Sequence, residues 1–366
     1  MKAAVLHNYG EELRIEDVDL EEPHQGEVRV KMKAAGICHS DLHVVNAHLP
    51  LPVPIILGHE GAGIVDAVGE GVTHVQVGDR VVLNWVPSCG KCHYCKIGRP
   101  DMCDEAAKIS AMGTMLDGTT RFSCDGKPVH QFPLTGTFSE YTVVPESAAI
   151  PIENEVPFEL AALVGCCVIT GVGAVINTAK VEPGSTVAVI GAGGVGFNAI
   201  QGASLSGAKQ IIAVDLLPEK LEMTKTFGAT HTVNASEEDV VSAVLDLTGG
   251  VGVDYAFEVI GRPETMAQAY NLTSKTGTTV IVGVAAPNEN VSVNAFSFPS
   301  QSKTLTGSWL GQGNPSVDYP KLLDLHAAGK LKLEPLVSET YSLDQVNEGF
   351  QQLKSGKNIR GVIRFD

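Results

Sequence analysis

Four of the chain's eight cysteines lie in one fifteen-residue stretch, CGKCHYCKIGRPDMC. Cys89, Cys92, Cys95 and Cys103 are separated by two, two and seven residues. Four thiolates on one short loop can surround a tetrahedral Zn²⁺ at about 2.3 Å each, which leaves no coordination position for a substrate. The spacing therefore predicts a structural zinc site. An iron–sulfur cluster is the second interpretation, because two-residue spacings also occur there, and four unrelated free thiols rank last.

A second metal pattern is spread over three distant stretches, GICHSDLH, LGHEGAG and VGCCVITG. Catalytic zinc usually has three protein ligands and one open position, and two cysteines with one histidine are a known set. Cys38, His59 and Cys166 could supply that set. Taken singly, each is more often a buried cysteine or a surface histidine, so the residues alone only suggest this site.

A glycine-rich segment, VAVIGAGGVG, follows an apolar run and precedes a predicted helix. In this motif, with Gly191, Gly193, Gly194 and Gly196, the first glycine allows a tight turn, the second lets the backbone approach a pyrophosphate, and the last allows close helix–strand packing. Asp215 follows nineteen residues after the last glycine. An acid there can accept hydrogen bonds from an adenosine ribose and would repel a 2′-phosphate, so the pattern predicts NAD rather than NADP. The alternative is an Asp that only caps the strand end.

The residues before about 168 have the pattern of strands and loops. GEVRVKMKAAGIC alternates Val28, Val30 and Met32 with basic residues, which predicts a half-buried strand. VQVGDRVVL places a Gly-Asp pair between two valine-rich runs, which predicts a tight hairpin.

From residue 168 onward, short apolar runs alternate with helical patterns, which predicts a doubly wound parallel sheet over 168–306. Pro218 suits a first helical turn, and Ser236 is predicted to cap the helix that follows it. The tail contains two amphipathic helices and a final strand, so it is expected to return to the first part. We therefore predict two domains, 1–167 with 307–366 and 168–306.

The composition excludes several classes of protein. A chain of 366 residues exceeds the size of a single core, which favours two domains. The formal charge of -16, from 26 basic and 42 acidic side chains, makes nucleic acid an unfavourable partner. We found neither a signal-peptide pattern nor an uninterrupted apolar run of about eighteen residues, so we expect a cytoplasmic protein without a membrane partner.

The motifs resemble those of the zinc-dependent medium-chain alcohol dehydrogenases over essentially the whole chain. GHEGAGIV, CGKCHYC, FSEYTVV and SGKNIRGVI are similar to stretches of that family and occur in the expected order. The segment MLDGTTRFSCDGKP further resembles the branch that contains animal alcohol dehydrogenases and thiol-dependent formaldehyde dehydrogenases. The resemblance implies an α/β protein with a β-rich GroES-like catalytic domain and a Rossmann domain.

The resemblance also implies roles for individual residues. Cys38, His59 and Cys166 match the catalytic zinc ligands, although Cys167 stands where a glycine is common in the family, and Glu60 matches an acid near the metal. The remaining matches are a proton relay of Ser40 and His43; nicotinamide neighbours Thr170, Val195 and Val284; Lys220 beside Asp215 at the ribose; His39 and Arg360 around the pyrophosphate; and Trp85 and Phe138 in the alcohol pocket.

The implied activity is reversible hydride transfer from a zinc-bound alkoxide to NAD, with two Zn²⁺ per chain, one catalytic and one structural. The substrate would be a primary, aromatic or secondary alcohol, and the product an aldehyde or ketone. The family also implies a homo-oligomer, a dimer or tetramer. The first alternative is a dehydrogenase of a formaldehyde–thiol adduct. A non-catalytic NAD-binding zinc redox sensor ranks low, because His59, Glu60, Ser40 and His43 would be superfluous to it.

Overall fold

The computed structural model describes residues 1–153, 155–356 and 358–366. The chain forms two compact units, Met1–Cys166 with Asn314–Asp366, and Cys167–Gly313. The second unit extends to Gly313, seven residues beyond the boundary predicted from the sequence. Two hydrogen bonds hold this extension to the unit: Asn177 Nδ2 donates to Gly311 O at 3.2 Å, and the Thr178 and Ser308 hydroxyls lie 2.8 Å apart.

The strands are numbered in chain order over the described residues. They are β1 Lys2–Leu6, β2 Arg14–Asp17, β3 Asp19–Leu20, β4 Glu27–Ile37, β5 Ile55–Ile56, β6 Glu60–Val68, β7 Arg80–Leu83, β8 Phe122–Cys124, β9 Lys127–Gln131, β10 Tyr141–Pro145, β11 Ala149–Pro151, β12 Thr186–Ile190, β13 Gln210–Asp215, β14 His231–Asn234, β15 Val253–Glu258, β16 Thr273–Ile281, β17 Thr304–Gly307, β18 Val337–Tyr341 and β19 Arg360–Arg364.

The α-helices are numbered in the same way. They are α1 His39–Val45, α2 His93–Lys96, α3 Asp104–Met112, α4 Phe158–Leu163, α5 Ile169–Gly173, α6 Gly194–Leu205, α7 Pro218–Thr224, α8 Val240–Leu247, α9 Pro263–Leu272, α10 Ser297–Gln301, α11 Pro315–Ala327 and α12 Val346–Lys354.

The first unit is rich in β-structure, as predicted. One sheet has the strand order β2-β1-β5-β9-β8-β3, and another has the order β11-β7-β6-β4-β19-β18, with β10 also paired to β4. The tail supplies β18 and β19 to the second of these sheets, which confirms its expected return. The core of this unit contains Leu6, Ile55, Phe138 and Phe350, all at most 5% exposed.

The strand predicted around Val30 is confirmed. β4 buries Val28, Val30 and Met32 completely, while Arg29 and Lys31 between them stay partly exposed. The tight hairpin predicted around Gly78 and Asp79 was wrong, because the strand after the turn pairs with a different segment. The Gly-Asp turn precedes β7, but β7 pairs antiparallel with β6, and the VQV run before the turn forms no strand.

The second unit contains the predicted parallel sheet. Its order is β14-β13-β12-β15-β16-β17, and each neighbouring pair is parallel. Numbered within the unit, this is the order 3-2-1-4-5-6 of a doubly wound dinucleotide-binding sheet. Buried residues such as Ala188, Ile212, Val214 and Ala256 form its core, because a parallel sheet is covered on both faces.

Two of the predicted helix starts can be compared with the structure. Pro218 occupies the first turn of α7, as predicted. The cap predicted at Ser236 was wrong, because Asp239 caps α8 and its Oδ1 accepts from Ser242 N at 2.8 Å. Ser236 is instead held in a turn, where its N–H and hydroxyl donate to Asn234 Oδ1.

A long apolar helix, Phe158–Ala179, contains α4 and α5. In the described part of the chain it alone is long and apolar enough to cross a membrane, with a mean hydropathy of 2.1. Glu159, Asn177 and several glycines interrupt it, so it is not an uninterrupted apolar run of the kind considered from the sequence. Of its most apolar stretch of 18 residues, 83% is buried within the protein, as in a core helix. Val164–Val168 and Ala174–Ala179 have π-helical hydrogen bonding, a geometry frequent at functional sites.

Candidate metal centres and dinucleotide-binding loop

A buried group of potential metal ligands lies in the first unit. Cys38 directly follows β4, His59 and Glu60 stand at the start of β6, and Cys166 lies in the first π-helical stretch. One ligand atom of each lies within 4.8 Å of those of the others, and all four residues are buried. Gly36 of β4 pairs with Glu60 of β6, and this register brings the two strand ends together.

The neighbouring cysteines Cys166 and Cys167 have different surroundings. Cys166 belongs to the ligand group, whereas Cys167 Sγ lies 4.0 Å from Asn198 Nδ2. The carbonyl of Gly165 accepts a hydrogen bond from the buried Tyr319 hydroxyl at 2.9 Å, which anchors the turn before them. This placement favours Cys166 as the metal-binding thiol.

Asp41, which was not predicted as a site residue from the sequence, orients the ligand group. Its fully buried carboxylate accepts from the Cys38 N–H at 3.0 Å, the Gly58 N–H at 3.0 Å and His59 Nδ1 at 3.1 Å. An acid three residues after a helix cap was the available signal. Because the hydrogen bond with Asp41 engages Nδ1 and orients the ring, Nε2 is the nitrogen that remains for a metal. Nε2 is buried and has no hydrogen-bond partner among the described residues.

The pKa values of the two buried thiols, Cys38 and Cys166, are shifted in opposite directions. The Cys166 thiol, by hydrogen bonding to Cys38, holds the pKa of Cys38 well below its usual range; burial opposes this, and Arg360 and His59 reinforce it. The same bond and burial raise the pKa of Cys166 well above its usual range. Burial lowers the pKa of His59, but Asp41 and Cys38 outweigh it and the net pKa is raised. Ionising both thiols therefore needs an added positive charge, which a bound divalent cation supplies.

Glu60 and Arg360 form a buried ion pair beside the sulfurs. Arg360 Nη2 lies 2.9 Å from Glu60 Oε1 and 3.5 Å from Cys38 Sγ. Burial raises the pKa of Glu60 to about 7, against the opposing effect of Arg360. Arg360 was predicted to lie around the pyrophosphate, and in the structure its guanidinium lies against the ligand group of the first unit.

Aromatic rings surround His59. The ring centroids of Trp85 and Phe132 lie 6.0 and 5.4 Å from that of His59, both edge-on. Phe138, assigned to the pocket, is fully buried in the core, with its ring centroid 6.1 Å from that of Phe350. The structure thus brings Trp85 to the site together with Phe132, which was not predicted from the sequence.

The first turns of α1 carry the residues assigned to the relay and the pyrophosphate. Ser40 Oγ lies 3.8 Å from Cys38 Sγ. His43 follows one turn later and is half-buried, while His39 at the start of the helix is exposed. Ser40 is therefore next to the ligand group.

The four clustered cysteines also converge. The sulfurs of Cys89, Cys92, Cys95 and Cys103 lie within 4.8 Å of one another. Backbone N–H groups of this loop donate to its sulfurs, from Cys89 to Cys103 Sγ at 3.3 Å and from Cys92 to Cys89 Sγ at 3.3 Å. Hydrogen bonds from the backbone of Cys95 and Asp104 lower the pKa of Cys92 to about 6, whereas burial and then Cys92 raise the pKa of Cys95 to about 12. Four converging sulfurs can surround a tetrahedral zinc, and a bound cation would favour the ionised form of all four thiols.

A third convergence of ligand-type residues has a different explanation. His24, Glu27 and Asp117 also lie close together. The fully buried Arg121 guanidinium donates to both Glu27 oxygens, at 2.6 and 2.8 Å, and to Asp117 at 2.7 Å. Because the Arg121 guanidinium already pairs with both carboxylates, the cluster is an ion-pair network.

The glycine loop of the second unit joins β12 to α6. Gly191 has φ of 109°, a conformation that favours glycine. A Cβ on Gly196 would lie 1.8 Å from the Gly191 carbonyl oxygen, so close packing requires glycine there. A Cβ on Gly193 would meet nothing within 4 Å. Packing therefore does not require a glycine at position 193, and the space beside it is open.

Asp215 contacts this loop from the end of β13. Its Oδ2 accepts from the Ala192 N–H at 2.7 Å, and its Oδ1 accepts from Leu216 N–H at 2.8 Å. Lys220 lies in α7, which follows β13.

Three further assigned residues lie in the same unit. Val195 and Gly194 are in the first turn of α6, and Thr170 is in α5. α5 packs closely on α6, since a Cβ on Gly171 would lie 2.4 Å from the Val195 carbonyl oxygen. Val284 lies beyond the end of β16 and is 47% exposed.

Two protein-family models match the chain. The model described as alcohol dehydrogenase GroES-like domain matches residues 24–154, and the model described as zinc-binding dehydrogenase matches residues 194–328. The predicted combination of a GroES-like domain with a Rossmann sheet is thereby confirmed.

Solved structures agree with these matches. An alcohol dehydrogenase zinc-binding domain protein from Burkholderia ambifaria is 36% identical, with a TM-score of 0.95, over 100% of this chain and 98% of its own. Benzyl alcohol dehydrogenase from Acinetobacter calcoaceticus is 34% identical, with a TM-score of 0.95, over 100% of this chain and 99% of its own.

Two structures with bound dinucleotides are less similar. A zinc-binding dehydrogenase from Sinorhizobium meliloti 1021 holds NADP, and an alcohol dehydrogenase from E. coli CFT073 holds NADH. Each is 27% identical, with a TM-score of 0.82, over 100% of this chain and 99% of its own. The full-length likeness at more than 30% identity, together with both family matches, places this chain in the zinc-dependent medium-chain alcohol dehydrogenase family.

Proposed function

We propose that this alcohol dehydrogenase holds a catalytic Zn²⁺ through Cys38, His59 and Cys166 and transfers a hydride reversibly between a small alcohol and NAD. The observation that carries the proposal is the buried Nε2 of His59. Nε2 lacks a hydrogen-bond partner among the described residues. A ring nitrogen of His59 also lies within 4.8 Å of two sulfurs whose pKa values are shifted in opposite directions. A buried polar atom without a partner is costly unless a ligand occupies it.

The residues around the metal ligands have separate tasks. When bound, Zn²⁺ supplies the Lewis acidity that lowers the pKa of an alcohol, and NAD⁺ supplies the hydride acceptor. Asp41 keeps His59 in the tautomer that offers Nε2. Trp85 and Phe132 exclude water from the edges of that ring. Glu60, held by Arg360, places a carboxyl group beside the ligands.

A proton path from this site begins at Ser40. Its hydroxyl lies next to Cys38 and can accept a proton from the alcohol. His43, one helical turn further along α1, is the half-buried acceptor on the way to solvent. His39 is exposed on the same helix and is assigned to the cofactor phosphates. These roles rest on the family resemblance and on the positions of the side chains.

The second unit supports NAD as the cofactor. Gly191, Gly193 and Gly196 give the loop the shape that accepts a pyrophosphate. Asp215 at the strand end has a carboxylate that can bind ribose hydroxyls and would repel a 2′-phosphate, and Lys220 follows it. Thr170, Val195 and Val284 are assigned to the nicotinamide.

The proposed substrate is a primary alcohol, with aromatic alcohols included. Trp85 and Phe132 next to His59 offer edges against which a planar ring can pack, and benzyl alcohol dehydrogenase is a similar structure. We further propose two Zn²⁺ per chain, the second at the four-cysteine loop, a homo-oligomeric state and a cytoplasmic location. The acidic net charge speaks against nucleic acid as a partner.

Two cysteine substitutions test the proposal. Cys38→Ser should lose one zinc and alcohol-dependent NADH formation, whereas Cys95→Ser should lose the other zinc and mainly lower Tm. Cys124→Ser, a cysteine outside both groups, is the matched control and should retain both ions. Turnover that survives in Cys38→Ser would overturn the assignment.

A substrate panel separates the proposed activity from its alternative. Ethanol, benzyl alcohol and a secondary alcohol are compared by kcat/KM with formaldehyde, with and without a small thiol. We expect benzyl alcohol to rank first, by about 1–3 kcal/mol over the small aliphatic alcohol. A higher kcat/KM for the formaldehyde–thiol adduct than for any alcohol would favour the thiol-dependent activity instead.

A further inference from the structure

A second histidine, His48, lies against His43 at the end of α1. The helix ends at Val45, and Ala47 adopts φ of 58°, an uncommon conformation for a residue with a side chain. The Ala47 N–H donates to Val44 O at 3.0 Å, and the Leu49 N–H donates to His43 O at 3.0 Å. These bonds fold the chain back over the last turn. His48, which follows the helix in the chain, is therefore held against the last turn of α1.

The two imidazole rings face each other through their Nδ1 atoms. His43 Nδ1 and His48 Nδ1 are 3.4 Å apart, and the ring centroids are 5.6 Å apart with a 47° tilt. One of the two nitrogens must carry the hydrogen for this contact to be a hydrogen bond. His43 Nε2 takes no part in this contact, so the His43 ring can receive a proton at Nε2 and release one from Nδ1.

Burial distinguishes the two rings. His43 is half-buried, whereas His48 is exposed to solvent. Burial and then the charge of His48 lower the pKa of His43, and the Cys38 thiol partly opposes them. A neutral His43 at pH 7 can accept a proton, and an exposed neighbour can deliver it to water.

We propose that His48 is the exit residue of the proton path, taking a proton from His43 Nδ1 and passing it to solvent. For each alcohol oxidised, the N–H bond at His43 Nδ1 breaks as one forms at His48 Nδ1. His48 then releases that proton to water or buffer, and both rings are neutral again. Before the next turnover, tautomer exchange through water moves the His43 hydrogen from Nε2 back to Nδ1. The inference rests on the proposed function, since it needs a proton that leaves through His43.

His48→Gln and His48→Ala test the proposal against His231→Ala, an exposed histidine of β14 in the other unit. At pH 7 in dilute buffer, kcat for alcohol oxidation should fall about tenfold in both His48 variants with KM unchanged. Added imidazole should restore kcat. The control should match wild type, and equal Tm values show that the variants are folded.

A readout without turnover accompanies the kinetics. In ¹⁵N NMR titrations of the resting protein, the pKa of His43 should rise in His48→Ala, because the neighbour that lowers it is gone. If His43→Ala slows oxidation but both His48 variants keep wild-type kcat at every buffer concentration, the exit role is wrong and the proposed function stands. If Cys38→Ser retains turnover, the proposed function itself fails.

Discussion

Replacing Asp41 by Asn should weaken the proposed catalytic zinc site without touching any ligand. The carboxylate accepts three hydrogen bonds, from Cys38 N–H, Gly58 N–H and His59 Nδ1, and it is fully buried. An amide of the same shape has only one acceptor oxygen. In either orientation of the amide, its NH₂ group therefore faces at least one of these three donors.

The two orientations of the amide have different costs. If Nδ2 faces Cys38, one buried backbone N–H loses its partner at about 1–3 kcal/mol. If Nδ2 faces Gly58 and His59, the imidazole must accept at Nδ1 and protonate Nε2, which then cannot bind metal. Loss of such an orienting partner typically lowers metal affinity by 10–100-fold, or about 1.4–2.8 kcal/mol at 1.4 kcal/mol per tenfold.

The assay is zinc release to a chromophoric chelator. Two release phases are expected, one for each proposed site, and Asp41→Asn should accelerate only one of them. Asp79→Asn is the matched control, because Asp79 accepts a single backbone N–H from Gln76 in a turn and an amide can do the same. The reasoning is refuted if both phases of Asp41→Asn match wild type, or if only the phase that Cys95→Ser abolishes is altered.

Four other substitutions test further features of the structure. Glu27→Gln should lower the free energy of unfolding by about 3 kcal/mol, because it leaves the buried Arg121 with one fewer carboxylate; urea unfolding measures this, and a loss below the error of the method would contradict it. Asp215→Ser should reduce kcat/KM for NAD about tenfold and raise it for NADP, since a charge-assisted hydrogen bond contributes about 1.5–3 kcal/mol; an unchanged cofactor ratio would argue against its role. Gly196→Ala should lower Tm, because its Cβ would meet a carbonyl oxygen at 1.8 Å. Gly193→Ala should keep Tm but weaken NADH binding in calorimetry, and normal binding would mean that no phosphate approaches there.

The parts of the structure that depend on neighbouring residues could be predicted from the sequence. The four-cysteine loop is local, so its spacing alone brings the sulfurs together. The Val-rich runs and the glycine motif specify the parallel sheet in the same way, because a strand, a tight turn and a helix follow one another in the chain. The buried face of β4 follows from simple alternation.

The catalytic ligand group could not be derived in this way. Cys38 and His59 meet because β4 and β6 pair in a particular register, with Gly36 opposite Glu60. Spacing does not reveal such a register, so the family resemblance was needed to select Cys166 as the third ligand. Asp41 was not predicted as a site residue, because an acid in the first turn of a helix is usually explained by its favourable interaction with the helix N-terminus.

Two other differences have local causes. Ser236 has the type and spacing of a helix cap, but Asn234 takes up its N–H and hydroxyl in a turn, and Asp239 caps the helix instead. The contact of His48 with His43 depends on a left-handed Ala47. A positive φ at a residue with a side chain is rare, so sequence patterns do not predict it.

The most direct test of the central claim is anomalous diffraction from crystals of the protein at the zinc absorption edge. We predict a peak about 2.3 Å from the sulfurs of Cys38 and Cys166 and about 2.0–2.1 Å from His59 Nε2, and a second peak among the four clustered cysteines. A zinc-replete crystal with the second peak but no peak beside His59 would contradict the account.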